Sequence, residues 1–237
     1  MPQAMARIAA VKAFRLDSKS EPTKKLAARP ARFHVENFPA SSYLVIPKVS
    51  SERRPYIPIG FLKPEIISSD LLQVVANATL YHFGVLSSAM HMAWMRQVCG
   101  RLKSDYRYSN RLVYNNFPWP ESPSKSREKA VEECARAILE LRVEFGDGRH
   151  GFLPTKKSGI APATLADLYD PLSMPHKLVK AHAELDRAVE KCYRPQPFNS
   201  DRERVEFLFR LYEQLTAPLL PATPRPRSRT GRQKSED

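Results

Sequence analysis

Glycine is scarce in this chain, with 8 in 237 residues, and no Pro-Pro dipeptide occurs. A DNA methyltransferase that holds its own cofactor needs a glycine-rich loop, where the backbone can approach the ligand closely. An adenine enzyme commonly adds an Asn/Asp-Pro-Pro-aromatic turn for the flipped base. Neither is written here. Phe145-Gly146-Asp147-Gly148 is superficially like a cofactor loop, but it follows a predicted helix rather than a strand. No Glu or Gln has Lys two positions on, so the usual carboxylate-x-lysine signature of a Mg-dependent nuclease is absent as well. The expectation is a chain without a complete catalytic machinery, holding neither cofactor nor metal.

Other absences narrow the class further. No apolar run approaches the roughly 18 residues that a membrane span needs. The first residues lack the apolar core and cleavage site of a secretory signal. The three cysteines, Cys99, Cys134 and Cys192, are odd in number and widely spaced. Cys134 and Cys192 fall on the apolar phase of predicted helices, as buried free thiols in a reducing cytosol would. His82 and His91 stand nine apart on one predicted helix, whereas a helical metal pair needs a spacing of three or four. His182 lies on an apolar face, the place of a core histidine.

What the chain has is positive charge, unevenly placed. Residues 1–120 hold 17 Lys/Arg against 7 Asp/Glu, residues 121–220 hold 16 of each, and residues 221–237 hold 5 against 2. A basic excess confined to one half points to a polyanion bound there. Composition alone leaves an idle basic surface equally open.

The first part is a basic lead-in, residues 1–24, with a short helix expected over Ile8–Phe14 and a loop over Ser18–Thr23. Tyr43-Leu44-Val45-Ile46, closed by Pro47, and Tyr56-Ile57-Pro58-Ile59-Gly60-Phe61 are predicted strands, with prolines that place them at edges or ends. Ser68-Ser69-Asp70 predicts a helix start ahead of Leu71–Val75. Residues 79–98 are predicted as one buried helix stopped by Gly100, and 115–120 as irregular. The second half is predicted as helices. Val131, Cys134, Ile138, Leu141 and Phe145 form one stripe over 127–145. A long loop over 149–163 leads to a short helix or turn at 164–170. Leu178, Val179, His182, Leu185, Val189 and Cys192 share a face of 176–193. Val205, Leu208, Leu211, Tyr212 and Leu215 point inward from 201–216, which Ser200-Asp201 cap. The expected class is α+β: a small, partly β domain over 25–120, a helical domain over 121–217, and a disordered basic tail over 218–237.

Two segments can form a recognition surface. Ser50-Ser51-Glu52-Arg53-Arg54 offers hydroxyls and guanidiniums suited to phosphate oxygens, though a plain solvated loop would have the same composition. In Arg101-Leu102-Lys103-Ser104-Asp105-Tyr106-Arg107-Tyr108-Ser109, an extended backbone would align Lys103, Asp105 and Arg107 in one row. A Lys can donate to guanine and an Asp can accept from the cytosine amino group of the same pair. Spacing alone also allows an ordinary ion pair among surface aromatics.

Several strings carry a resemblance. Val49-Ser50-Ser51-Glu52-Arg53-Arg54-x-Tyr56-Ile57-Pro58-Ile59-Gly60, Met90-His91-Met92-Ala93-Trp94, Gly100–Ser109 and Tyr114-Asn115-Asn116-Phe117-Pro118-Trp119-Pro120 resemble the target-recognition region of MmeI-like (type IIL) enzymes. Thr164–Asp170, Met174-Pro175 and Ala181-His182-x-x-Leu185-Asp186 are similar to the helical C-terminal segment of the same family. The resemblance runs from roughly residue 14 to 216. It implies sequence-specific recognition of double-stranded DNA within a site-specific adenine-N6 methyltransferase of a restriction–modification system. S-adenosylmethionine would serve the full-length enzyme, whose catalytic core lies outside this chain or on a separate methyltransferase/endonuclease chain. It further implies base readout by Lys103 and Asp105 and a bacterial cytoplasmic location at the nucleoid; the hydroxyls and guanidiniums of Ser50, Ser51, Arg53, Arg54, Arg101 and Arg107 are expected to contact the DNA backbone. A still-active methyltransferase subunit and a basic RNA-binding or interaction module are the alternatives.

Overall fold

The computed structural model describes residues 1–34, 36, 39–146 and 163–217. The predicted loop over 149–163, except Ala163, and the predicted tail over 218–237 lie outside them. The fold class is α+β, and two compact units divide at Ala40 and Ser41. In the first unit, α1 (Pro2–Leu16) is longer than the predicted Ile8–Phe14, and α2 (Glu21–Lys25) begins inside the predicted loop. Pro2 and Pro22 stand in the first turns, where a missing N–H costs nothing. Arg15 closes this unit, donating to the carbonyls of Leu26, Arg29 and Arg32 at 3.0, 2.8 and 2.7 Å.

From Ser41 on, β1 (Tyr43–Pro47) is the central strand of an antiparallel sheet and is buried through Ile46. Its neighbours are β3 (Gly60–Leu62) and β4 (Leu72–Val75). Two expectations change here. The helix predicted over 71–75 is strand β4, because Leu72-Gln73-Val74-Val75 finds an open edge of β1 from Pro47 to Leu44. Ser69 forms a turn, its carbonyl accepting from Leu72 N–H at 3.2 Å, rather than a helix cap. The strand predicted over 56–61 survives only from Gly60, because Pro58 lacks a donor and the Ile59 carbonyl goes to a side chain. A second small sheet pairs β2 (Val49–Ser50) with β6 (Asp105–Arg107) and β6 with β5 (Gly100–Leu102). Gly100 therefore opens a strand instead of stopping a helix.

The helix predicted over 79–98 is two, α3 (Leu80–Leu86) and α4 (Ala89–Val98). Ser88 separates them by donating to the Val85 carbonyl at 2.7 Å while capping α4 through His91 N–H at 3.5 Å. His82 and His91 consequently sit on different helices, and no cluster of metal-ligating residues occurs among the described residues. A π-helical turn, Asn110–Tyr114, leads into the irregular stretch before α5 (Lys125–Phe145). Then come the short α6 (Leu165–Leu168), α7 (His176–Tyr193) and α8 (Asp201–Thr216), capped by Ser200. The buried stripe of α5 is Val131, Ala135, Ile138 and Arg142; Cys134, Leu141 and Phe145 are only half-buried beside it. Val179 and Leu215 face out, since the buried side of α7 runs through Leu178, Leu185 and Val189 and the last turn of α8 passes beyond the core. No described helix is long and apolar enough to cross a membrane.

One apolar core joins sheet and helices, from Leu44, Ile46 and Ile59 through Phe83 and Met95 to Val131, Leu185 and Leu208. Gly84 marks its tightest approach: a Cβ there would stand 2.6 Å from Val131 Cγ1 and 3.2 Å from Leu185 Cδ1. Gly84→Ala should lower stability by about 1–3 kcal/mol, the usual cost of overpacking; chemical denaturation that finds no loss would show that α3 can move away.

Polar groups are also buried here. His91 meets the Tyr108 hydroxyl at 3.0 Å, and His182 Nε2 meets the Tyr169 hydroxyl at 2.8 Å. Burial pushes His91 down to about 4 and, with the charge of Arg142, His182 down to about 3. Burial pushes the Asp186 carboxyl the other way, up to about 6. Holding the histidines neutral stabilises the fold fully above their ordinary value of 6.5, and this is lost as pH falls towards about 4 and 3. The Asp186 contribution is full below its ordinary 3.8 and is lost as pH rises through about 6. Two groups oppose one, so the thermal midpoint should fall on acidification from about pH 7 to about pH 4.5. Asp186→Asn, which removes the opposing group, should fall more steeply; parallel profiles would refute the assignment.

Candidate nucleic-acid interface

Strand pairing brings the two candidate segments together. Val49 pairs with Arg107 and Ser50 with Tyr106, so the loop after β2 leaves the sheet beside the β5–β6 hairpin. A hydrogen bond from Glu52 N–H to Asp105 Oδ1, 3.3 Å, joins loop to hairpin directly. Within the loop, Arg54 N–H reaches the Ser51 carbonyl at 3.2 Å, a turn that leaves Arg53 exposed and Arg54 half-exposed.

Residues 101–109 are not one extended row. Leu102 pairs with Asp105, which makes Lys103-Ser104 a two-residue hairpin turn. Lys103 adopts a φ of 56°, a conformation that ordinarily favours glycine and costs a larger residue of order 1–3 kcal/mol. The lysine therefore stands at the tip of the hairpin, with Asp105 at the start of the returning strand. Arg107 lies on the same side of β6 as Asp105, and Tyr106 between them is buried.

The basic residues differ in how far they are engaged. Arg101 lies 4.3 Å from the Tyr106 ring centroid, donates to the Ser104 carbonyl at 2.9 Å and faces Glu52 at 3.7 Å. It braces the hairpin. The side chains of Arg53, Arg54, Lys103 and Arg107 have no hydrogen bond or ion pair among the described residues. Ser51 is half-buried, and its hydroxyl accepts from Arg53 N–H at 3.4 Å. Ser50 is buried, only 3% exposed, and its hydroxyl has no hydrogen-bond partner. A contact from Ser50 to a phosphate would require the loop to open.

Sequence reasoning missed the residues that hold the segment behind this loop. Arg96 donates to the Pro55 carbonyl at 3.2 Å while its other nitrogen pairs with Asp201 at 2.8 Å. The Tyr56 hydroxyl donates to Asp186 Oδ2 at 2.6 Å, and its ring stacks on His182 with centroids 4.0 Å apart. Asp186 Oδ1 accepts from Ala89 N–H at 2.7 Å. Arg142 donates to the Ile59 carbonyl and to the Tyr169 hydroxyl. Arg142 has no local signal, since a charge within an amphipathic helix reads as solvent-facing. Tyr56 and Asp186 stood inside the quoted motifs, but nothing in the sequence couples positions 130 apart.

Comparisons with known proteins give the family of the chain. Residues 1–121 match the family described as MmeI, target recognition domain, and residues 123–220 match MmeI, C-terminal domain. The chain is 41% identical over 215 residues to DNA methyltransferase A of Bacillus subtilis (strain 168), which covers 91% of this chain and 22% of that protein. It is similar to a solved structure of the type IIL restriction-modification enzyme MmeI in complex with DNA. There the identity is 43% and the TM-score 0.80, covering 92% of this chain and 27% of that one. The chain thus spans about a quarter or less of these relatives. It belongs to the MmeI family, of which it holds the target-recognition and C-terminal domains.

Proposed function

We propose that this chain recognises duplex DNA by sequence, as the C-terminal part of a site-specific adenine-N6 methyltransferase of a restriction–modification system. Residues 25–120 do the reading and residues 121–217 support them. S-adenosylmethionine and the methyl-transfer chemistry belong to a catalytic core outside residues 1–237, on a longer protein of which they are a part or on a separate methyltransferase/endonuclease chain. The work is done in a bacterial cytoplasm, at the nucleoid. The observation that carries this reading is the unengaged charge of Arg53, Arg54, Lys103 and Arg107, gathered by the β2–β6 pairing at one loop and one hairpin. The 43% identity to a protein solved with DNA supports it. The roles are divided by reach. Arg53, Arg54 and Arg107, with Ser51, and with Ser50 and Arg101 where the loop opens, meet the phosphate backbone. Lys103 and Asp105 meet base edges.

Phosphate contacts displace condensed counterions, so affinity for any duplex should fall steeply with salt. Replacing Arg53 and Arg54 by Ala should weaken all sequences alike and reduce the log–log salt slope by about 1 for each contact removed. A loss confined to one sequence, or an unchanged slope, would rule out phosphate contact by these two residues.

Lys103 and Asp105 together should read one G·C pair, Lys103 donating to guanine and Asp105 accepting from cytosine. Each such contact is worth roughly 1–3 kcal/mol of discrimination, so Lys103→Ala should relax one position without abolishing binding. Combining Lys103→Glu with Asp105→Arg should invert the preferred pair to C·G, because donor and acceptor then face opposite strands. Selection from randomised duplexes measures this, and an unchanged preference after the swap would place the readout elsewhere.

A further inference from the structure

We infer that Asp186, on a helix of the C-terminal domain, is a positioning residue for DNA binding: through Tyr56 it sets how Arg53 and Arg54 are presented. The inference rests on the proposed reading that the loop before Tyr56 contacts duplex DNA.

Apart from the ties of Glu52 to Asp105 at 3.3 Å and to Arg101 at 3.7 Å, the loop has little to hold it. Its internal hydrogen bonds are the two at 3.2 and 3.4 Å, Arg54 N–H to Ser51 O and Arg53 N–H to Ser51 Oγ. Two long arginine side chains on such a turn lose conformational entropy whenever they are fixed on a ligand. Pre-fixing the backbone that carries them reduces that cost. The entry to the loop is fixed by the β2–β6 pairing, and the exit is fixed by side chains from the helices. Pro55 O is held by Arg96, and Arg96 by Asp201. The Tyr56 hydroxyl is held by Asp186, and its ring by His182. Ile59 O is held by Arg142. The residues directly after Arg54 are therefore attached to α4, α7 and α5 rather than to a strand ladder, with Arg96 of α4 braced by Asp201 at the start of α8.

Asp186 is the member of this set whose presence stability alone explains least. Taking a carboxylate out of water is costly, and a well-packed apolar side chain often serves stability as well or better. As a helix cap Asp186 adds one acceptor, for Ala89 N–H, to the one that Ser88 offers His91 N–H. What a carboxylate does, and an apolar residue cannot, is accept from two donors in fixed directions. Here these are Tyr56, two residues after Arg54, and Ala89 at the start of α4. Burial raises both partners, the Asp186 carboxyl and the Tyr56 hydroxyl, which keeps the phenol protonated and donating.

The experiment is a double-mutant cycle on the full chain, read as the dissociation constant for a labelled duplex alongside thermal unfolding. Tyr56→Phe keeps the ring on His182 and removes only the hydroxyl. It should weaken binding about five- to tenfold, less than the full worth of one hydrogen bond to a charged group. In a chain already carrying Arg53→Ala and Arg54→Ala, the same change should have no further effect on affinity, although it lowers the unfolding midpoint in both backgrounds. Made by itself, Asp186→Asn, which can still pair with Tyr56, should retain most of the affinity. Should Tyr56→Phe lose its native circular dichroism, Arg96→Lys, which keeps a charge for Asp201 and releases Pro55 O, should give the same dependence on the two arginines. Equal losses in both backgrounds, or no loss with the arginines present, overturns the positioning role and leaves the DNA-binding reading intact. Failure of the unaltered chain to bind duplex, or indifference of its affinity to Arg53→Ala with Arg54→Ala, overturns the functional reading and this inference with it.

Discussion

The guanidinium of Arg142 is the point on which the interior from Ser41 onward turns. It is buried on α5, with the Phe83 and Tyr169 ring centroids 5.1 and 4.8 Å from its central carbon. It donates to the Ile59 carbonyl and the Tyr169 hydroxyl. A buried backbone carbonyl without a partner is costly, and the irregular chain around Pro58 has no strand ladder to supply one. Arg142 meets that need from 83 residues away. Its charge also helps keep His182 neutral, and a neutral ring can lie against Tyr56 without bringing a second buried cation. Sheet and helices are joined by this polar seam inside a shared apolar core.

Basic residues have consequently been sorted into two kinds by their surroundings. Arg15, Arg96, Arg101 and Arg142 are engaged by carbonyls, carboxylates or rings and serve as struts. Arg53, Arg54, Lys103 and Arg107 have no such partner among the described residues, and their charge is available to a ligand. A formal charge of +13 does not distinguish these kinds. An engaged cation keeps its field unless a carboxylate neutralises it, but its donors are used; the second kind has donors free for a ligand.

Legibility in the sequence followed the range of the forces involved. Helices α5, α7 and α8 were readable because a stripe of period 3.6 with polar caps is a local pattern repeated over four or more turns. The central strand was readable because Tyr43–Ile46 is short, apolar and closed by Pro47. Leu71–Val75 was not, since four apolar residues around Gln73 fit a strand or a helix turn equally, and only the open edge of β1 chose between them. The break at Ser87-Ser88 was hidden in a run whose apolar character continues on both sides. The hairpin turn was hidden because Lys103 occupies a left-handed position without the glycine that usually announces it.

By itself, then, the sequence determined the composition of the surface: which half is basic, which segments carry hydroxyl, guanidinium and carboxylate groups, and which family motifs they belong to. It also determined most helices, whose hydrogen bonds close within four residues. Tertiary structure alone decided which of those charges are free, that Lys103 stands at a tip rather than in a row, and that Tyr56 and Ile59 are held by Asp186 and Arg142. The reason is physical. These contacts join residues far apart in the chain, and the burial that makes an unpaired polar group costly exists only once the core has formed around it.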